Sequence, residues 1–121
     1  MDVFLEVQTT EPQELRAVIT GKTAPGETEV KVTDQLSLRF AGISHQRSID
    51  ATALVTFALT FPMGVATSVI ADRISDFIRR RDARDHLQRA FITIEERVES
   101  IDANGKRTVK MTTRREEISF D

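Results

Sequence analysis

The feature that most constrains this chain is a stretch from Ala51 to Ala71 that contains no charged residue and is bracketed by Asp50 and Asp72. A helix of that length could cross a lipid bilayer. However, four Thr, one Ser, one Gly and one Pro dilute its hydrophobicity, and a span would separate the β-rich segments on its two sides. We therefore expect a buried core element, and membrane association through residues 51–78 is the alternative.

The second half of this stretch predicts one main amphipathic helix over about residues 62–86. Apolar side chains recur three or four positions apart, and the charged side chains lie mainly on the opposite side. This pattern is typical of a helix that buries one face. The apolar stripe consists of Val65, Ala66, Val69, Ile70, Ile74, Phe77 and Ile78.

The first half of the stretch fits two structures. Thr52, Thr56 and Thr60 recur every four positions, as on one face of a helix, but apolar residues also alternate with polar ones there, as in a strand. Pro62 could kink a long helix or open a new one at its first turn. The pattern favours two helical pieces broken at Pro62-Met63-Gly64, and a strand is the alternative.

The N-terminal segments indicate strands and one helix. Residues 3–7 are rich in β formers and predict a strand. Residues 11–20 predict a short helix that ends at a glycine, and a strand over 14–20 is the alternative. Alternating apolar residues over 28–41 predict a hairpin, followed by a polar loop over 42–48.

The C-terminal segment predicts a β-hairpin. Residues 91–101 are rich in β formers, Asn104-Gly105 is a favourable turn, and the return strand alternates over 108–112. Residues 118–120 predict a last short strand. We therefore expect a single small α+β domain over residues 1–121, in which an antiparallel sheet packs on the main helix.

The residues that usually carry chemistry form no recognisable constellation. The chain has no Cys, and His45 and His86 lie far apart without a metal-ligand spacing. No Gly-x-Ser-x-Gly elbow or phosphate-binding glycine loop is present. We therefore predict that the protein is not an enzyme and uses no metal or cofactor. Because its first residues do not resemble a signal peptide, we expect it in the cytoplasm.

An arginine-rich segment follows the apolar stretch and suggests phosphate binding. Aspartates three or four residues away favour an ion-paired helix face instead. The formal net charge of −2 is also unlike that of a dedicated nucleic-acid-binding domain. Nucleic-acid binding is thus a minor alternative. Its candidate residues are Arg73, Arg79, Arg80, Arg81 and Arg84.

The continuous apolar segment favours a non-catalytic protein-interaction module. A domain of this size has a limited core, and apolar surface that remains exposed usually marks an interface. The partner is another protein or a second copy of this chain. The predicted contact residues are Phe57, Phe61, Met63, Val65 and Val69.

One family shares this order of features over about residues 62–112. A helix of small residues from Gly64 to Ala71 ends at Ile78-Arg79-Arg80-Arg81, and a hairpin with an Asn-Gly turn follows. This arrangement resembles the effector-associated constant components of bacterial conflict systems. The hairpin over 28–41 and the C-terminal tail depart from that pattern. The resemblance implies a non-catalytic accessory protein that works beside separate effectors.

Overall fold

The computed structural model describes residues 2–21, 29–45 and 52–120. These residues form six strands, two helices and one short 3₁₀ turn, which confirms the α+β class. In chain order the elements are β1 (Asp2–Thr9), α1 (Pro12–Thr20), β2 (Glu29–Thr33), β3 (Leu36–His45), β4 (Ala53–Thr60), α2 (Thr67–Arg80), the 3₁₀ turn (Arg84–His86), β5 (Arg89–Ile101) and β6 (Arg107–Glu117).

The six strands form one antiparallel sheet in the order β2-β3-β4-β1-β5-β6. The first strand of the chain is therefore a central strand. Val3 lies opposite Leu59 of β4 on one side and opposite Ile94 of β5 on the other. Because β4 and β5 both run antiparallel to β1, they are parallel to each other, and α2 forms the crossover between them.

One face of the sheet carries the hydrophobic core. Leu5 of β1, Phe57 of β4 and Ile92 of β5 share this face at paired positions and are fully buried. The helices bury side chains in the same cluster, which joins strand and helix residues. The helical contributors are Leu15 and Ile19 of α1 and Ile70, Ile74, Phe77 and Ile78 of α2.

The predicted helix over the first half of the apolar stretch is wrong. Residues 53–60 form β4, whose burial alternates along the strand, and the strand alternative is correct. The two patterns competed because Thr recurs every four positions, a multiple of the two-residue period of a strand. Residues 61–66 are neither helix nor strand, and α2 begins at Thr67 and ends at Arg80, inside the predicted range of 62–86.

The N-terminal region agrees with the sequence in most respects. The predicted helix over 11–20 is found as α1, so the strand alternative over 14–20 is wrong. The loop predicted from Gly42 onwards is wrong up to His45, because β3 continues past a bulge between Phe40 and Gly42. The predicted strand over 118–120 is absent, although the Ile118 amide donates to the Ala90 carbonyl.

Candidate functional site

Met63 is the most exposed large apolar side chain that the structure describes, with a relative exposure of 100%. It lies between β4 and α2, where Met63 and Gly64 form a turn. Gly64 has a φ of 89°, which favours glycine, and no atom lies within 4 Å of where its β-carbon would be. The backbone at this turn is therefore open to solvent and to a partner.

A cavity of about 500 Å³ lies beside Met63 at one end of the sheet. Its walls are the first residues of β1, the last residues of β4 and the turn that follows. Phe61, Met63 and Val65 all line it, together with Asp2 and Phe4. Three predicted contact residues therefore meet at one concave surface.

A second, smaller cavity of about 190 Å³ shares Phe61 and Val65 with the first. Val69 of α2 forms part of its wall, and Leu36 closes it from β3. Arg73, one turn of α2 further on, is the one charged residue among the described residues that line it. We call the two cavities together the apolar groove, because Phe61 and Val65 line both.

Arg73 stands apart from the other arginines of α2. No ion-pair or hydrogen-bond partner of Arg73 is found in the part of the chain that the structure describes. Its neighbours in the smaller cavity are apolar or uncharged polar groups, including Thr33 and Gln35. The groove thus combines an apolar floor with two charged residues, Asp2 in the larger cavity and Arg73 in the smaller one, and the Arg73 guanidinium can receive a carboxylate.

Phe57 does not belong to this surface. Its side chain is fully buried, and its ring meets that of Phe40 edge to face at a centroid distance of 6.0 Å. Odd-numbered residues of β4 point into the core, and Phe57 is one of them. The sequence grouped it with Phe61 because both belong to one uncharged run, but only Phe61 lies beyond the end of the strand.

The remaining predicted arginines lie at the opposite end of α2, about 20 Å from its first turn at 1.5 Å per residue. Each has a partner within the chain. Arg79 donates to the Phe120 carbonyl, and Arg80 pairs with Asp76 at 3.2 Å. Arg81 lies over the Phe77 ring and Arg84 over the Phe120 ring, at 5.3 and 4.8 Å from the centroids.

The sheet face opposite the helices carries a cluster that sequence reasoning missed. Phe91 is 8% exposed there, although α1 and α2 both pack on the other face. The guanidinium groups of Arg115 and Arg89 cover its ring at 3.9 and 5.1 Å from the centroid. Arg115 also lies 3.8 Å from the Oε2 atom of Glu6. The other carboxylate oxygen of Glu6 accepts a hydrogen bond from the Thr93 hydroxyl.

Arg89 forms a second link in this cluster, to Glu117 of β6. The hydrogen bond that Arg89 donates, and then the attraction between the two charges, raise the pKa of the guanidinium. The same hydrogen bond holds the pKa of the Glu117 carboxyl below its ordinary value of 4.5. The sequence does contain a signal for this cluster. Arg89, Phe91 and Thr93 occupy every second position of β5 and therefore lie on the same face of the sheet.

The β5–β6 pair extends beyond the rest of the sheet. The pairing of β1 with β5 ends at Asp2 and Glu95, whereas β5 continues to Ile101. We call residues 96–112 the arm. All of them are exposed, and the arm carries several large apolar side chains without cover: Val98, Ile101, Val109 and Met111.

No protein-family model matches this chain, and comparisons with curated proteins and with solved structures find no significant similarity. The functional argument therefore starts from the fold and its surfaces. Within residues 2–21, 29–45 and 52–120, no helix is long and apolar enough to span a membrane. Over the same ranges, no three His, Asp or Glu side chains cluster so as to hold a metal ion.

Proposed function

We propose that this protein is a non-catalytic accessory module that binds a partner protein through the apolar groove. The exposure of Met63 at the mouth of a cavity of about 500 Å³ carries the proposal. An exposed methionine beside an aromatic wall adapts its shape to an apolar ligand. The cavity falls within the size range of ligand-binding pockets and is lined mainly by apolar residues.

The occupant that fits best is a peptide segment with an apolar anchor and a carboxylate. The anchor enters between Phe61 and Val65, and the carboxylate reaches the guanidinium of Arg73. Arg73 has no competing partner in the described part of the chain, so a bidentate ion pair costs no existing contact. The resemblance to accessory components of bacterial conflict systems supports a partner encoded beside this protein.

The experiment is a selection of random displayed peptides on the full-length protein. We expect enriched peptides to share an apolar residue followed or preceded by Asp or Glu. Arg73→Glu should then enrich peptides with Lys or Arg at that place, because the groove would keep its shape while the charge at position 73 is reversed. Arg80→Glu is the matched control on the same helix, and it should leave the selected acidic peptides unchanged.

Two results would contradict this function. The first is no enrichment over an unrelated protein of similar size. The second is enrichment that is insensitive to both Met63→Asp and Arg73→Glu, because the binding surface would then lie elsewhere. Met63 is fully exposed, so its replacement should not reduce the free energy of unfolding, and thermal unfolding of the variant checks this.

A further inference from the structure

The outer edge of β6 is the longer of the two uncovered edges of the sheet. β6 has 11 residues and all are exposed, whereas the other edge strand, β2, has five. A long exposed edge presents unpaired backbone N–H and C=O groups to any other strand. A further strand would also stabilise the arm more than the rest of the sheet, since a two-stranded hairpin is marginally stable alone.

Two backbone hydrogen bonds show which residues of β6 face this edge. At one end of the hairpin the Asp102 amide donates to the Lys106 carbonyl, and at the other the Ile118 amide donates to the Ala90 carbonyl. Antiparallel partners alternate between hydrogen-bonded and non-hydrogen-bonded pairs. Even-numbered residues of β6 therefore bond to β5, and the odd-numbered residues from Arg107 to Glu117 direct their backbone groups outward.

We propose that β6 pairs antiparallel with β6 of a second copy, about a two-fold axis at Thr113, to form one continuous twelve-stranded sheet. The charges on β6 select this register. With the axis at Thr113, Lys110 lies opposite Glu116 of the second copy, and the symmetric contact repeats the pair. Opposite charges at directly paired positions stabilise a sheet, and like charges there destabilise it.

The neighbouring registers all bring like charges together. An axis at Thr112 places Lys110 opposite Arg114 of the second copy, which offsets the opposite-charge pair that Arg107 forms with Glu117. An axis at Met111 places Arg107 opposite Arg115. An axis at Arg114 places that residue opposite itself. Charged residues often protect an exposed edge from pairing. On this strand they disfavour the neighbouring registers relative to the register about Thr113, which pairs opposite charges and contains no like-charge pair.

The exposed apolar side chain of Met111 on β6 also favours the register about Thr113. Met111 is 60% exposed and lies opposite Arg115 of the second copy. In each copy Arg115 already covers the Phe91 ring at 3.9 Å from the centroid. The methionine therefore extends an existing aromatic–arginine stack, and its exposed area is removed from water. This interface lies on β6 and is separate from the apolar groove.

The first test is charge reversal in the full-length protein, measured by sedimentation over a series of concentrations. Lys110→Glu or Glu116→Lys alone should raise the dimer dissociation constant about ten-fold or more, because two attractive pairs become repulsive. The double variant should restore it. The two residues lie six positions apart on one strand, about 20 Å, so this rescue cannot come from a contact within one copy. Lys106→Glu, in the turn, is the control and should change little.

The second test locates the axis by cross-linking. The chain has no Cys, so Thr113→Cys introduces a single thiol. At the axis the two Cα atoms of a hydrogen-bonded pair lie about 5.5 Å apart, which is within disulfide range. Oxidation should therefore give a covalent dimer. Val109→Cys should not, because its copies would lie about 25 Å apart along the strands.

A monomer at every concentration would overturn the proposal. So would a dimer that cross-links through Val109→Cys but not through Thr113→Cys, or one that the double charge reversal fails to restore. None of these outcomes bears on the apolar groove, because its residues lie outside β6. Peptide selection on the Met63 and Arg73 variants tests the groove independently.

Discussion

A β-carbon on Gly21 would lie 2.9 Å from the Nη1 atom of Arg81, so the residue that caps α2 packs against the residue that caps α1. Gly21 has a φ of 74°, and its amide donates to the Ala17 carbonyl. α1 has no basic residue in its last turn. The guanidinium of Arg81 therefore brings positive charge to the negative end of the α1 dipole.

Gly21→Ala is expected to lower the free energy of unfolding by about 1–2 kcal/mol, because the residue keeps a left-handed backbone and meets Arg81. Chemical denaturation measures the loss. When Gly21→Ala is made in an Arg81→Ala background, the part of the lost unfolding free energy that comes from the clash with Arg81 should disappear. The part that comes from the left-handed backbone should remain. Equal losses in the presence and absence of the Arg81 side chain would show that the guanidinium moves aside freely.

Thr9 joins the end of β1 to the 3₁₀ turn and is fully buried. Its hydroxyl donates to the His86 carbonyl and accepts from the Glu11 amide. Thr9→Val keeps the shape but leaves both backbone groups without this partner, so we expect a loss of about 1–3 kcal/mol in unfolding free energy. Thr112→Val is the control, since that hydroxyl bonds the Glu96 carbonyl on the exposed arm, and it should cost much less.

Substitutions of Phe91 and Arg115 measure how much the cluster on the open sheet face contributes to the free energy of unfolding. Phe91→Ala should cost about 3 kcal/mol or more, as for other buried aromatic residues. Arg115→Ala should cost about 1 kcal/mol, because it removes the cation–π contact and the pair with Glu6. Arg114→Ala on the same strand is the control, with an exposed side chain and no aromatic contact among the described residues. Thermal or denaturant unfolding ranks the three, and a cost for Arg114→Ala equal to that for Arg115→Ala would contradict the stacking role.

The ion pair of Arg89 and Glu117 makes stability depend on pH. Folding lowers the pKa of the Glu117 carboxyl, so its contribution is present above the ordinary value of 4.5 and is lost as the pH falls through the folded pKa. Carboxyl NMR titration should show Glu117 titrating below 4.5, and Arg89→Gln should move its pKa back towards that value. If Arg89→Gln leaves the Glu117 titration unchanged, the hydrogen bond is not the cause.

Sequence patterns predicted the α+β class and most strand positions because alternation and turn chemistry are local. They failed for residues 53–60, where the spacing of Thr is compatible with both periods and Pro62 fits either helix model. They also failed for 42–45, where the partner that holds β3 as a strand is β4, about 10 residues further along the chain. Local propensity cannot reveal such a partner.

The candidate site was predicted only in part for a related reason. Phe61, Met63, Val65 and Val69 do line one groove, but Phe57 belongs to the core. Of the predicted arginines, only Arg73, in the middle of α2, lines the groove, and the others lie at or beyond the end of that helix. Position along the chain could not separate them, because burial depends on where β4 ends. The cluster around Phe91 needs residues from three strands, and only the sheet order brings these together.

The central place of β1 has a consequence for biosynthesis. Val3 is made before its partners Leu59 and Ile94, which are 56 and 91 positions later. During translation the β5 side of β1 stays unpaired until β5 has left the ribosome. Pairing over such distances is also intrinsically slow. Nascent chains that end before β5 should therefore engage chaperones, and those from which β5 has left the ribosome should be released.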